Sequence, residues 1–428
     1  MKFRIRQLRR FSEDLIADLR DSDSGRFRGE FGIVVLTRMA TVCGGLVFVL
    51  LTARSLGPSG RGEIVVAFTL AWLTTNIANL GTPISGRFHL LREGEQVRAI
   101  DVMLLTVSLL PVQVLLVLVS VGVMSLTVFE VSRNYLLTVI ALSTVTMFLN
   151  SAVYVLYGLR QYRRVFVGEV GIIILQLMFL VSLELTGRLS VESALLAMMT
   201  GSAVIAVWFV SQLELTFDRS IREIVRIWRL LAVDGLSPMF GSILMLVSLR
   251  INRLILAVVA GASSVGILAV ALMIPETLRM LPKAFGQVAA DRGRHSINSA
   301  AEIRQLSKRF FIVYSIVLLT MGIIGMAVLQ SVFGQGFRSA AQFIPVAVVA
   351  EMFLATHLFS QALLEGFGRF SVIGRAQIIG GIVTVVLNIV LIQFWNIWGA
   401  TVACLLGYGT LSVVSMVLSR EELRRLGK

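Results

Sequence analysis

Gly57-Pro58-Ser59-Gly60-Arg61-Gly62, running into Ile64-Val65-Val66-Ala67, is the stretch on which the reading of this chain turns. At an offset of 204 it returns as Gly261-Ala262-Ser263-Ser264-Val265-Gly266 ahead of Leu268-Ala269-Val270-Ala271. A second echo sits at an offset of 208, where Leu156-Tyr157-Gly158 followed by Tyr162 returns as Leu364-Glu365-Gly366 followed by Phe370. Two echoes at nearly one offset imply two halves with one layout.

The medium around those halves follows from composition. Hydrophobic residues make up 56% of the 428 and charged residues 15%, with a mean hydropathy of +0.86. A soluble domain averages about 25% charged residues, so lipid solvates most of this chain. Residues 102–129, 135–157 and 310–337 hold no Asp, Glu, Lys or Arg. About 20 apolar residues cross about 30 Å of hydrocarbon. That criterion predicts twelve spans, from 31–53 and 62–85 through 102–129, 231–255 and 262–281 to 310–333 and 397–418.

The expected fold is therefore all-α and polytopic, with a six-helix lobe at 31–213, a cytoplasmic linker helix at 214–230 and a second six-helix lobe at 231–418. A basic amphipathic segment (1–30) precedes them and a tail (419–428) follows, both cytoplasmic. Because each half holds an even number of spans, both enter the membrane in the same direction. They are expected to be related by a pseudo-two-fold along the membrane normal, with a cavity between them.

Basic residues support that division. With the N-terminus inside, cytoplasmic segments hold 31 of the 39 Lys and Arg, and extracytoplasmic positions hold seven. This is the positive-inside bias. The same bias accounts for the net charge of +14 without nucleic acid. Cys43 and Cys404 both fall within spans, so no disulfide framework is implied. His89, His295 and His357 lack metal-ligand spacing, and no HExxH, Walker A or GxSxG pattern occurs. The chain is expected to hold no metal or cofactor and to be no enzyme.

The first span ends Ala53-Arg54-Ser55-Leu56-Gly57-Pro58 and continues Gly60-Arg61-Gly62-Glu63. This resembles the junction between the first two helices of bacterial oligosaccharide-lipid flippases, of the multidrug/oligosaccharidyl-lipid/polysaccharide exporter superfamily. Leu249-Arg250-Ile251-Asn252-Arg253-Leu254-Ile255-Leu256, Phe333-Gly334-Gln335-Gly336-Phe337, Gly366-Phe367-Gly368-Arg369 and Trp398-Gly399-Ala400-Thr401 continue the likeness over roughly residues 31–418. Many relatives carry an acid where this chain has Asn252, so an acid serving ion coupling or gating is missing there. The resemblance implies a polyprenyl-pyrophosphate-linked oligosaccharide as cargo, carried unaltered across the bacterial inner membrane by alternating access. It also implies membrane lipids and polysaccharide synthesis and export proteins as partners, and a monomer.

Such a cargo is polar and anionic at its head, and crossing requires cationic and hydrogen-bonding groups within the membrane. Arg38 lies seven residues into the first span, with Thr41 on its face; it either turns to a cavity or snorkels to the interface. Trp72, Asn76 and Asn79 share one side of the second span and meet either a sugar or another helix. Arg250, Asn252 and Arg253 lie on the seventh span, where the two arginines form an outward-facing binding mouth or contact headgroups. Arg279, on the eighth, is a cavity cation, an i,i+3 partner of Glu276 or a topology flank. Glu351 and Glu169 are the acids placed to bind a coupling ion or to neutralise a cavity arginine. Two rivals remain: a cation-coupled multidrug exporter of the same superfamily, and a membrane-embedded polysaccharide polymerase or ligase. The second would need a sizeable extracytoplasmic loop, and none is evident.

The topology is open to direct test in a background lacking Cys43 and Cys404. Single cysteines at Gly60, Ser190 and Asn396 should react with an impermeant maleimide in intact cells, and those at Gly94, Gln161 and Ser296 should not. Labelling at Gly94 would overturn the assignment.

Overall fold

The computed structural model describes residues 24–91, 97–126, 131–213, 219–295, 299–366 and 369–426. The amphipathic helix expected near the N-terminus, over residues 1–20, lies outside the described residues. Every regular element described is helical. In chain order these are α1 (Ser24–Ala78), α2 (Thr82–Leu90), α3 (Ala99–Ser108), α4 (Leu110–Ser125), α5 (Arg133–Gly158) and α6 (Tyr162–Leu185). There follow α7 (Val191–Ser211), α8 (Ile221–Thr277), α9 (Met280–His295), α10 (Ser299–Phe333), α11 (Ile344–Gly366) and α12 (Phe370–Leu426), with a 3-10 helix at Gln335–Phe343.

Three of these helices are too long to be single rods. α1, α8 and α12 hold 55, 57 and 57 residues, or about 80 Å each at 1.5 Å per residue. Each is broken once, at Gly57 (φ 68°, ψ −172°), Gly261 (φ 75°, ψ 176°) and Asn396 (φ 47°, ψ −119°). Among the described residues, eight segments are long and apolar enough to cross a membrane. Three of them, Met39–Ala78, Met239–Gln287 and Val372–Ser419, contain these breaks and have the length for two crossings each. α3 and α4, bent by 41° ahead of Pro111, make one further broken span. Counted in this way, the described residues make the twelve crossings expected.

Gly57 and Gly261 are the paired positions of the sequence echo, and they share one left-handed φ with extended ψ, a conformation that glycine adopts without a Cβ clash. The two turns also meet. A methyl group on Gly62 would lie 1.7 Å from the carbonyl oxygen of Ala262, and one on Gly266 would lie 1.9 Å from that of Pro58. Both contacts connect positions whose counterparts differ by the same offset, so the turns touch reciprocally, as a two-fold axis between them requires. Around them Ile64, Val66 and Leu70 of the first lobe pack in one apolar core with Leu256, Val265 and Leu268 of the second.

The lobes also meet beside the interruption of the second span. Leu80 and Gly81 have positive φ, and Gly81 lies against the carbonyl of Gly235 on α8. Beyond it, α2 continues the span past Pro83 to Leu90. Ser85 donates to the Leu231 carbonyl at 2.7 Å, and His89 Nε2 lies 3.1 Å from Asp234 Oδ2.

One connection differs from expectation. The linker is no separate surface helix, because α8 begins at a Ser220–Glu223 capping box and runs unbroken to Gly261. Ile227 and Trp228 pack into the first lobe, where Trp228 donates to the Asp101 carbonyl and Arg219 pairs with the Asp101 carboxylate. The basic stretch at 286–309 is largely helical, as α9 extends to His295 and α10 starts at Ser299.

Overpacking a close contact costs about 1–3 kcal/mol, and here the obstacle is backbone. Gly62→Ala and Gly266→Ala should each lower the Tm of the purified protein, whereas Gly45→Ala, whose new methyl meets nothing within 4 Å, should not. Equal stability of all three variants would refute a tight turn contact.

A candidate substrate cavity

Between the lobes lies a cavity of about 760 Å³, walled by α1, α2, α5, α6, α7 and α8. Helical spacing explains which side chains reach it. On the fourth span, Thr146, Asn150, Tyr154 and Tyr157 recur at intervals of three and four and all line it. On the second, Phe68, Trp72, Asn76 and Asn79 do the same. The Phe68 and Trp72 rings lie 6.0 Å apart in a tilted pair, and the Asn76 amide donates back to the Trp72 carbonyl at 2.8 Å. Asn79 ends this helix, is 2% exposed, and neither atom of its amide makes a hydrogen bond.

The charged lining is arginine-rich. Arg61, Arg87, Arg250 and Arg253 face Glu169 and Glu276. Arg250 Nη1 lies 3.2 Å from Glu276 Oε2, and Arg253 Nη2 lies 2.7 Å from Glu276 Oε1. One carboxylate thus holds two guanidiniums. Arg61 donates to Thr52 Oγ1 at 3.2 Å, tying the two arms of the first turn, and its Nε is buried without an acceptor. Arg87 stands over the Tyr157 ring, 5.3 Å from its centre, a cation–π contact. Thr41 lines the wall opposite, its hydroxyl 3.4 Å from Glu169 Oε2.

Of the residues singled out from sequence, Thr41, Trp72, Asn76, Asn79, Arg250, Arg253 and Glu169 share this cavity. Arg38 is on α1 one turn before Thr41, and its side chain lies outside the described residues. Asn252, by contrast, is packed away from the cavity, 2% exposed, its amide donating to Cys404 Sγ at 3.1 Å. Arg279 and Glu351 are also elsewhere. They pair through two bonds, Nε to Oε1 at 2.6 Å and Nη2 to Oε2 at 2.9 Å, with Arg279 Nη1 3.5 Å from Glu276. Arg279 is therefore no topology flank, and Glu351, 1% exposed, neutralises an arginine. The break at Leu278–Arg279, between Pro275 and Pro282, delivers Arg279 to that bridge.

Arg61, Arg87, Asn150, Tyr154 and Tyr157 were not identified as lining residues. Arg61 reads as a loop residue from its place after Gly57-Pro58, and Arg87 as a flanking charge. The spacing of Asn150, Tyr154 and Tyr157 inside a charge-free span was a legible signal.

No family model and no curated protein sequence matches this chain. Solved structures do. An inward-facing multidrug resistance MATE family transporter of the MOP superfamily aligns over 91% of this chain and 98% of its own, at 12% identity and a TM-score of 0.72. The lipid II flippase MurJ, in an inward closed conformation, aligns over 92% of this chain and 87% of its own, at 10% identity and a TM-score of 0.69. The eukaryotic MATE transporter AtDTX14 aligns over 94% and 99%, at 14% identity and a TM-score of 0.59. The fold is that of the MATE and MurJ transporters. These neighbours are transporters and a flippase, and the chain is a multi-pass membrane protein of the same architecture.

Removing one partner of a buried ion pair costs on the order of 3–5 kcal/mol, while replacing both by apolar groups costs far less. Glu351→Gln and Arg279→Met should each depress the Tm strongly, and the double variant Glu351→Leu/Arg279→Met should recover part of the loss. A Tm for Glu351→Gln equal to that of the parent would show that the bridge is dispensable.

Proposed function

We propose that the protein flips a polyprenyl-pyrophosphate-linked oligosaccharide, a cell-surface polysaccharide precursor, across the bacterial inner membrane. The observation that carries this reading is the makeup of the cavity: four arginines against two glutamates, beside amides and aromatic rings. Guanidinium groups form paired hydrogen bonds with phosphate oxygens. Asn76, Asn79 and Asn150 offer both donors and acceptors of the kind that sugar hydroxyls need, and Trp72, Tyr154 and Tyr157 offer rings for sugar C–H faces. The lipid tail stays in the bilayer, so the protein has only to shelter the head. Both termini are placed in the cytoplasm on the partition of basic residues.

The lobes rock about the turn contact, opening the cavity first to one side and then to the other. The expectation that Arg38 contributes positive charge to the cavity belongs to the same proposal. A second reading, export of a drug-like cation, is favoured by Glu169 within the cavity and by a fold shared with multidrug transporters.

Proteoliposomes separate the two. A fluorescent lipid-linked oligosaccharide should be flipped, and a lipophilic cation should not be expelled. A hydrogen bond to a charged group contributes about 1.5–3 kcal/mol, so Arg61→Ala should lower the apparent affinity about tenfold or more. Arg38→Ala should lose most activity at normal membrane levels, and Arg38→Lys should keep part of it. Cation export with no movement of the glycolipid would reverse the assignment.

A further inference from the structure

A second polar site lies away from the cavity, between α11 and α12. His357 is 1% exposed. Its Nδ1 lies 2.6 Å from Ser415 Oγ, while its Nε2 is buried and makes no hydrogen bond. One turn along α11, Gln361 donates through Nε2 to Glu365 Oε1 at 2.7 Å, which leaves its Oε1 buried without a donor. Both residues line a narrow crevice with no room for a water molecule. The site thus holds a ring nitrogen that lacks a proton or a partner, and an amide oxygen one turn away that lacks a donor.

One added proton meets both needs. An imidazolium has two N–H donors; Nδ1–H then serves Ser415 Oγ, and Nε2–H is served by Gln361 Oε1 after a rotation of that side chain. An imidazolium is costly in an apolar shell unless both donors are satisfied, and these two oxygens satisfy them. We propose that His357 is a proton-binding site of the second lobe, with Gln361 as the acceptor that stabilises the bound proton and Glu365 as the polar link towards the end of α11.

The surroundings supply little charge. α12 faces the crevice with Ser415, Ile373 and Leu418. α9 and α10 meet α11 through Phe285 and Phe311, and α8 meets it in the apolar cluster of Leu249, Leu354 and Leu358. Among the described residues, Glu365 is the charged side chain joined to the site, through Gln361. A bound proton therefore alters a bridge between α11 and α12 next to the Thr356–Ser412 contact, and the effect does not depend on which cargo the cavity takes.

The test uses the whole protein in nanodiscs with isotope-labelled histidine. The chain has three histidines, and the His357 resonance is the one lost in His357→Asn. If that variant fails to fold, the resonance is assigned by subtraction in His89→Gln and His295→Gln. It should move from its neutral to its charged position as the pH is lowered from about 8 towards about 4, since burial disfavours the charged ring. In Gln361→Leu that change should need a pH lower by at least one unit, a tenfold loss of proton affinity. A His357 resonance that stays neutral down to about pH 4, or a midpoint unchanged in Gln361→Leu, would overturn the proposal.

Discussion

The reciprocal contact of the two turns is the constraint from which the rest of the architecture follows. Gly62 sits against the Ala262 carbonyl and Gly266 against that of Pro58, with no room for a Cβ at either place. Backbone-to-backbone approach fixes the separation of the lobes there more tightly than side-chain packing does, because peptide planes have no rotamers to yield. The helices that meet at the turns line one side of the cavity, through Phe48, Ile64, Arg253 and Ala269. The turn contact is reinforced by a core that mixes Ile64 and Val66 with Leu256 and Val265, and by the second meeting of the lobes at Gly81 and Gly235.

Charge placement follows a second logic. In hydrocarbon an unpaired ion is costly, and the second lobe meets that cost by linking its ions in a row. Arg250 and Arg253 share Glu276, Glu276 also meets Arg279, and Arg279 is held by Glu351. Three arginines and two glutamates leave one positive charge over. Its location is set by exposure, since Glu351 is 1% exposed while the Arg250 side chain is 31% exposed at the cavity end. The row thus stabilises its buried members and presents its surplus charge to the cavity.

Much of the fold was legible in the sequence, for physical reasons. Charge-free stretches have to be spans, and Gly57 and Gly261 mark turns that only glycine adopts easily. The breaks at Leu80–Gly81 and Leu278–Arg279 were less legible. Pro83 and Pro282 hint at them, but proline in lipid is often tolerated within a span. Site residues divided along the same line. Trp72, Asn76 and Asn79 were readable because their spacing puts them on one face. Which way the seventh span presents Asn252 rather than Arg253 depends on the packing of Cys404 against it, and that is tertiary information. The fate of Glu351 was undecidable for a similar reason, since its partner lies 72 residues away across a helix break.

The interruption of the second span links these themes. Asn79 lies where α1 ends, its amide buried in the cavity wall and unbonded, and Thr82 Oγ1 just beyond is buried and unbonded as well. A buried amide without a partner costs about 1–3 kcal/mol, so a polar group that entered the cavity beside Gly81 and Gly235 and bonded the Asn79 amide would gain on that scale. A ligand moves an equilibrium only by its differential affinity for two states, and a buried amide that is satisfied in one state and starved in another supplies such a difference. The break in the second span thus puts the cavity wall, at Asn79, and a close contact of the lobes, at Gly81, two residues apart.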